Sequence, residues 1–184
     1  MTSVLVLLAV LGALGGFDTV YFHEWRARLP AQKGGMLTEL RLHAARDAVY
    51  TVIFTTLPRL AWHGWLAVTL GGLFAAEIVI TMWDFVLEDR VRKPLGGVYP
   101  GERVTHGIMA VVYGAVIARL VPELQEWWNQ PSGLRAVAPD VPMALRVGLT
   151  AMGVGIALSG LRDLHAARGA RHGAWPWTAS PARP

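Results

Sequence analysis

The chain contains no cysteine. That absence excludes disulfides, thiolate-held zinc, cysteine-held iron–sulfur clusters and a cysteine nucleophile. Charge is also scarce. Asp, Glu, Lys and Arg make up 16% of the 184 residues, against about a quarter in an ordinary soluble domain. There is no internal repeat, no glycine-rich phosphate loop, no nucleic-acid module and no meaningful Ser–His–Asp order. The single biased tract is GAWPWTASPARP at the end, which is expected to be disordered or to lie at an interface.

Apolar sequence is what the chain has in abundance: 53% hydrophobic residues and a mean hydropathy of +0.38. A spanning helix needs roughly 20 mostly apolar residues. Five stretches meet this: 3–22, 37–57 (stopped by Pro58), 62–87, 103–121 (stopped by Pro122) and 142–161. The fold class expected is therefore all-α, a polytopic integral membrane protein with five transmembrane helices. Residues 1–165 form the membrane domain and 166–184 a basic, Pro/Ala-rich cytoplasmic tail. The first stretch lacks the positive flank of a signal peptide and reads as the first membrane helix.

Let end A be the side where the first helix ends. Thirteen of the 17 basic residues then fall on side A, and four, Arg59, Arg119, Arg135 and Arg146, on side B. By the positive-inside rule side A is cytoplasmic. The expectation is a multi-pass protein of the inner or plasma membrane, N-terminus outside and C-terminus cytoplasmic. The net charge of +4 is then a matter of topology, and nucleic acid is not a partner.

Acids and histidines are equally one-sided. Asp18, His23 and Glu24 lie at the A end of the first helix; Glu39, His43 and Asp47 at that of the second; Asp84 and Glu88 at that of the third, with Glu77 deeper; Glu102 and His106 open the fourth. Glu39, His43 and Asp47 recur every four residues and share one helix face, extended by Tyr50. Glu77, Thr81, Asp84 and Glu88 do the same, as do Glu102, His106 and Tyr113. By helical rise, Asp47 and Glu77 each lie roughly 15 Å in from end A. Carboxylates at that depth are costly unless paired, protonated, metal-bound or wet. Helices 1–4 are therefore expected to enclose a polar cavity open to the cytoplasmic side, with the fifth helix as a buttress.

Three occupants fit. Carboxylates and imidazoles from four helices resemble the ligand set of di-iron and di-manganese bundles, although both Glu–His pairs here, Glu39/His43 and Glu102/His106, have Glu-x-x-x-His spacing. This reading gives a metal-dependent oxidoreductase acting on a lipophilic substrate, with oxygen or a quinone as partner. Iron is the first choice of metal, zinc or manganese also suiting these donors. The ligands expected are Glu39, His43, Glu77, Asp84, Glu102 and His106. Asp47, Glu88 and Tyr113 are the catalytic groups beside them, and Arg46 and Arg103 steady the carboxylates. The second occupant is a buried charge network or proton/ion pathway in a non-enzymatic subunit, with Arg46 neutralising Glu77. The third is b-type haem on His43 and His106, which the crowd of acids disfavours. Gly12, Gly15, Gly16 and the GVGIALSG segment read as close helix packing, within the chain or in a homo-oligomer.

Overall fold

The computed structural model describes residues 1–137 and 141–169. Five long helices carry the fold. Helix α1, Thr2–Phe17, continues without a break as a π-wound extension, Asp18–Arg26. A short 3-10 turn at Leu29–Ala31 leads to α2, Met36–Thr56. Then come strand β1 (Leu60–His63), α3 (Trp65–Val91), α4 (Pro100–Trp128), strand β2 (Gly133–Ala136) and α5 (Met143–Ala167). The tail beyond residue 169 lies outside the described residues.

Helices α1, α3, α4 and α5 are long and apolar enough to cross a membrane. Helix α2 falls short by composition, because Glu39, Arg41, Arg46 and Asp47 crowd its first three turns. Outward positions of the other four are greasy: Val10, Val68, Val79, Val111, Val154 and Leu158 are all exposed.

Packing closes a five-membered ring. Helix α1 lies against α4 and α5, α2 against α3 and α5, and α3 against α4. This corrects the expected arrangement of four helices and a buttress: α5 is the stave between α1 and α2. Glycine makes the seam tight. A Cβ at Gly160 would sit 2.8 Å from the Asp47 Cβ, and one at Gly153 would sit 2.7 Å from Thr55 Cγ2. Across the ring, a Cβ at Gly12 would be 2.7 Å from the Phe54 ring.

The B half is an apolar core in which Leu5, Leu8, Ile53, Phe54, Leu70, Val116 and Leu149 are buried. Hydroxyls there donate to carbonyls one turn back, Thr51 to Asp47 at 2.7 Å and Thr55 to Thr51 at 2.6 Å. At end A a smaller core of Ala27, Leu29, Met36, Leu40, Ala166 and Ala167 is sealed over. The polar residues lie between these two cores, and a surface pocket lined by Phe85, Glu88, Asp89, Arg103 and His106 reaches two of them from end A.

Three boundaries differ from expectation. The third helix starts at Trp65 because Leu60–His63 pairs antiparallel with Gly133–Ala136. That ribbon ties two connections together at end B. Gly64 follows it at φ +60°, with Ser132 backbone 2.7 Å from where a Cβ would be. The fourth helix runs through Pro122 to Trp128. A proline forfeits one intrahelical bond, but the last turns are held by buried Trp127, whose carbonyl accepts from Gly64 N at 2.8 Å. The fifth helix continues six residues past 161, which brings Asp163 into the ring.

The seam makes a prediction. Gly153→Leu drives a side chain into Thr55 and should cost about 1–3 kcal/mol, the usual penalty of overpacking. Gly148→Ala on the same helix, where a Cβ meets nothing within 4 Å, should be neutral or slightly stabilising. Thermal unfolding of the two variants in detergent checks the contrast.

Candidate metal centre

The A half of the ring gathers three imidazoles, six carboxylates and two guanidiniums into one contact network. The residues come from every helix, and each arrives for a local reason.

Helix α2 supplies Glu39 and His43 from one face, as four-residue spacing dictates. Their oxygen and Nε2 are 3.8 Å apart. Across the α2–α3 contact, His43 Nε2 is 3.1 Å from Asp84 Oδ2. On its other side His43 Nδ1 faces Asp163 Oδ2 of α5 at 3.7 Å. Arg46, one turn further along α2, reaches Asp84 at 3.5 Å.

The π-wound extension supplies Asp18 and His23. Five-residue spacing splays two side chains apart on an α-helix, but a π turn closes its hydrogen bonds at i→i+5. His23 Nε2 accordingly lies 3.3 Å from Asp18 Oδ2. It also lies 3.1 Å from Glu102 Oε1 of α4. The His23 ring stacks on His43, with centroids 4.7 Å apart and planes inclined by 11°.

Helix α4 supplies Glu102 and His106. His106 Nε2 is 3.2 Å from Asp18 Oδ2, and its Nδ1 is 3.7 Å from Glu88 of α3. Phe85 stacks on the ring at 5.0 Å and fixes its plane.

Arg92 stands among these acids, 1% exposed, just past the end of α3. Its Nε donates to Glu39 Oε1 at 2.8 Å, and its Nη1 to Glu102 Oε1 at 2.5 Å; its Nη2 also contacts Glu39. Glu88 is 4.0 Å away. Burial opposes the charged guanidinium, but Glu39, Glu102 and Glu88 outweigh that and raise its pKa further.

Three residue groups bring one ligand atom each to within 4.8 Å of one another: Asp18/His23/His106, Glu39/His43/Asp84 and Glu88/Glu102/His106. His106 belongs to two of them, so at most two of the three groups could be complete at once. Asp18 Oδ1, Glu39 Oε2, Asp84 Oδ1, Glu88 Oε2 and Glu102 Oε2 are buried without a hydrogen-bond partner, as is His23 Nε2. Such atoms are costly unless something satisfies them.

The expected site residues fall into two sets. Glu39, His43, Asp84, Glu88, Glu102 and His106 are brought together here. Glu77 is not: it lies two turns from Asp84, 4% exposed, accepting hydrogen bonds from Tyr50 at 2.8 Å and Thr81 at 2.7 Å. Tyr113 stands near it and donates to the Phe74 carbonyl at 3.0 Å. Asp47 packs against Gly160 on the α5 seam. Arg46 contacts Asp84 rather than Glu77. Arg103 is a correction. Its side chain is 61% exposed and pairs with exposed Asp89 at 3.5 Å, because it sits on the outward face of α4; Arg92 does the steadying instead.

The first helix offers Asp18 and His23, but five-residue spacing does not join them on an α-helix face, and only the π winding brings them together. Asp163 was lost by ending the fifth helix too early. Arg92 had a signal, since it lies four residues after Glu88.

A cleft of about 770 Å³ adjoins the network. It reaches Asp18 and His106 at one end and runs between Gly12, Gly16, Phe54, Ile117 and Met152. No known family, curated protein or solved structure matches the chain.

Removing the central cation should expose what it holds. Arg92→Met leaves Glu39 and Glu102 buried against each other and should lose roughly 3–5 kcal/mol, as when one partner of a buried ion pair is removed. Arg103→Met should change thermal stability by no more than about 0.5 kcal/mol, since its pair is exposed. Unfolding of both variants in detergent tests the assignment.

Proposed function

We propose that the chain is a membrane-embedded, carboxylate/histidine metal enzyme, an oxidoreductase that takes a lipophilic substrate through the cleft. One observation carries the reading: five carboxylate oxygens and an imidazole nitrogen are buried without a hydrogen-bond partner in one network. Charge supports it. Asp18, Glu39, Asp84, Glu88, Glu102 and Asp163 stand against Arg46 and Arg92, so six negative charges meet two positive ones when the imidazoles are neutral. Two divalent cations would carry the missing four charges; imidazolium at His43 and His106, each facing two or more acids, would instead carry two of them.

Donor chemistry narrows the ion. Oxygen donors with imidazole and no thiolate suit iron, manganese or zinc. Iron or manganese there supplies redox chemistry, whereas zinc supplies hydrolysis. The chain's own part is orientation. Asp163 and Glu88 face the Nδ1 atoms of His43 and His106, which leaves each Nε2 toward the centre, as carboxylates behind ligating histidines commonly do. Both nitrogens of both rings face acids, which favours small cations over an axially ligated haem.

Insertion in a bilayer is part of the proposal. The exposed valines and leucines on α1, α3, α4 and α5 form more apolar surface than water tolerates. Helix α2 would complete five spans with its charged face turned into the ring. The excess of basic residues at end A supports a cytoplasmic side for it.

Arg92 favours a second reading. A guanidinium between Glu39 and Glu102 is itself a counter-ion, and a network so paired can serve as a charge relay or a structural lock in a non-enzymatic membrane subunit.

Elemental analysis of detergent-purified protein, never exposed to chelator, separates the two. The metal reading expects about two iron, manganese or zinc atoms per chain. It expects His43→Ala and His106→Ala each to lose about one or more of them while remaining folded. Metal-free, folded wild-type protein would leave the charge network as the function of these residues.

A further inference from the structure

The cleft holds a second polar station that the metal reading does not use. Its volume of about 770 Å³ lies within the range of roughly 300–1,000 Å³ typical of ligand sites. All five helices border it. Its wall along α1 is cut back to glycine: at Gly16 a Cβ would meet nothing within 4 Å, and at Gly15 only Met109 Cε at 3.7 Å. A slender chain can lie there.

Glu77 lines this cleft and is 4% exposed. Tyr50 and Thr81 both donate to its Oε1. Among the described residues no Lys, Arg or His lies within 4.0 Å of its carboxylate, and Arg46, which shares the cleft, is at 3.5 Å from Asp84. Apart from Asp18, Arg46 and His106, which belong to the network, the cleft wall carries Glu24, Asp47 and Glu77 against Arg162. It is therefore acidic by two formal charges. An anionic amphiphile is repelled there, a neutral one leaves Glu77 with no cation in direct contact, and a cationic one supplies it.

We propose that the cleft binds a single-chain amphiphile bearing a protonated amine, with the ammonium group seated on Glu77 and the hydrocarbon chain along the glycine wall of α1. This rests on the cleft being the substrate site in the function proposed above, but not on a metal being bound.

The test titrates the protein in nanodiscs of zwitterionic lipid with dodecylamine, dodecanol and dodecanoate. Metal content is measured on the same samples. Dodecylamine should bind at least about tenfold more tightly than dodecanol, the worth of a hydrogen bond between charged groups, and dodecanoate most weakly. Glu77→Gln should erase the advantage of the amine while keeping dodecanol binding and metal content. Gly16→Trp should weaken all three ligands by filling the groove. Equal binding of the three by the wild type, or an amine advantage that survives Glu77→Gln, would overturn the proposal. Failure of the metal reading would appear separately, as absent metal with the amine preference intact.

Discussion

Six carboxylates sit within one ring of apolar helices, and water is kept from nearly all of them. Glu39 and Glu102 are 0% exposed and Asp84 2%. Removing each from water costs several kcal/mol unless opposite charge and hydrogen bonds replace it. Two guanidiniums and three imidazoles are at hand. The rest of the A half is arranged so that these few groups reach every acid. Arg92 spans Glu39 and Glu102, and each histidine touches acids from two helices or more.

Backbone geometry serves this convergence. The π-wound extension turns Asp18 and His23 to the same side. Gly153 and Gly160 let α5 close on α2 and carry Asp163 behind His43. The small core of Leu29, Met36 and Leu40 with Ala166 and Ala167 packs α2 and α5 together at end A. None of these devices stabilises the chain much by itself. Together they hold ionisable groups at a depth where unpaired charge would unfold a small domain, given that whole-domain stability is only about 5–15 kcal/mol.

The same enclosure has a functional side. The network is reached from within the ring by a long, mostly apolar cleft. Phe85 and His106 stand where cleft and network meet. A ligand entering from a hydrocarbon phase would meet carboxylate and imidazole at the end of that path. Low dielectric strengthens every charge interaction there, whether the occupant is a pair of metal ions or Arg92 alone. In both cases Glu77, with Tyr50 and Thr81 on one oxygen, remains a separate polar point in a greasy wall.

Much of this was legible in the sequence. Length and hydropathy placed the start of each helix within about three residues, though the fourth and fifth run on past their expected ends. Four-residue spacing put Glu39 with His43 and Glu102 with His106, and the one-sided acids foretold a shared depth, because helix periodicity and rise are properties of the local chain. Other features depended on tertiary structure. That Asp163 takes part follows from which helices are neighbours, and glycine clearance across the α2–α5 seam allows it. That Asp18 meets His23 follows from π winding, which spacing rules for an α-helix miss. The choice of Arg92 over Arg103 is a matter of which face of two helix ends turns inward. Sequence by itself determined that ionisable groups would be buried at one end of a helical bundle; only the packing of the ring decided which of them touch.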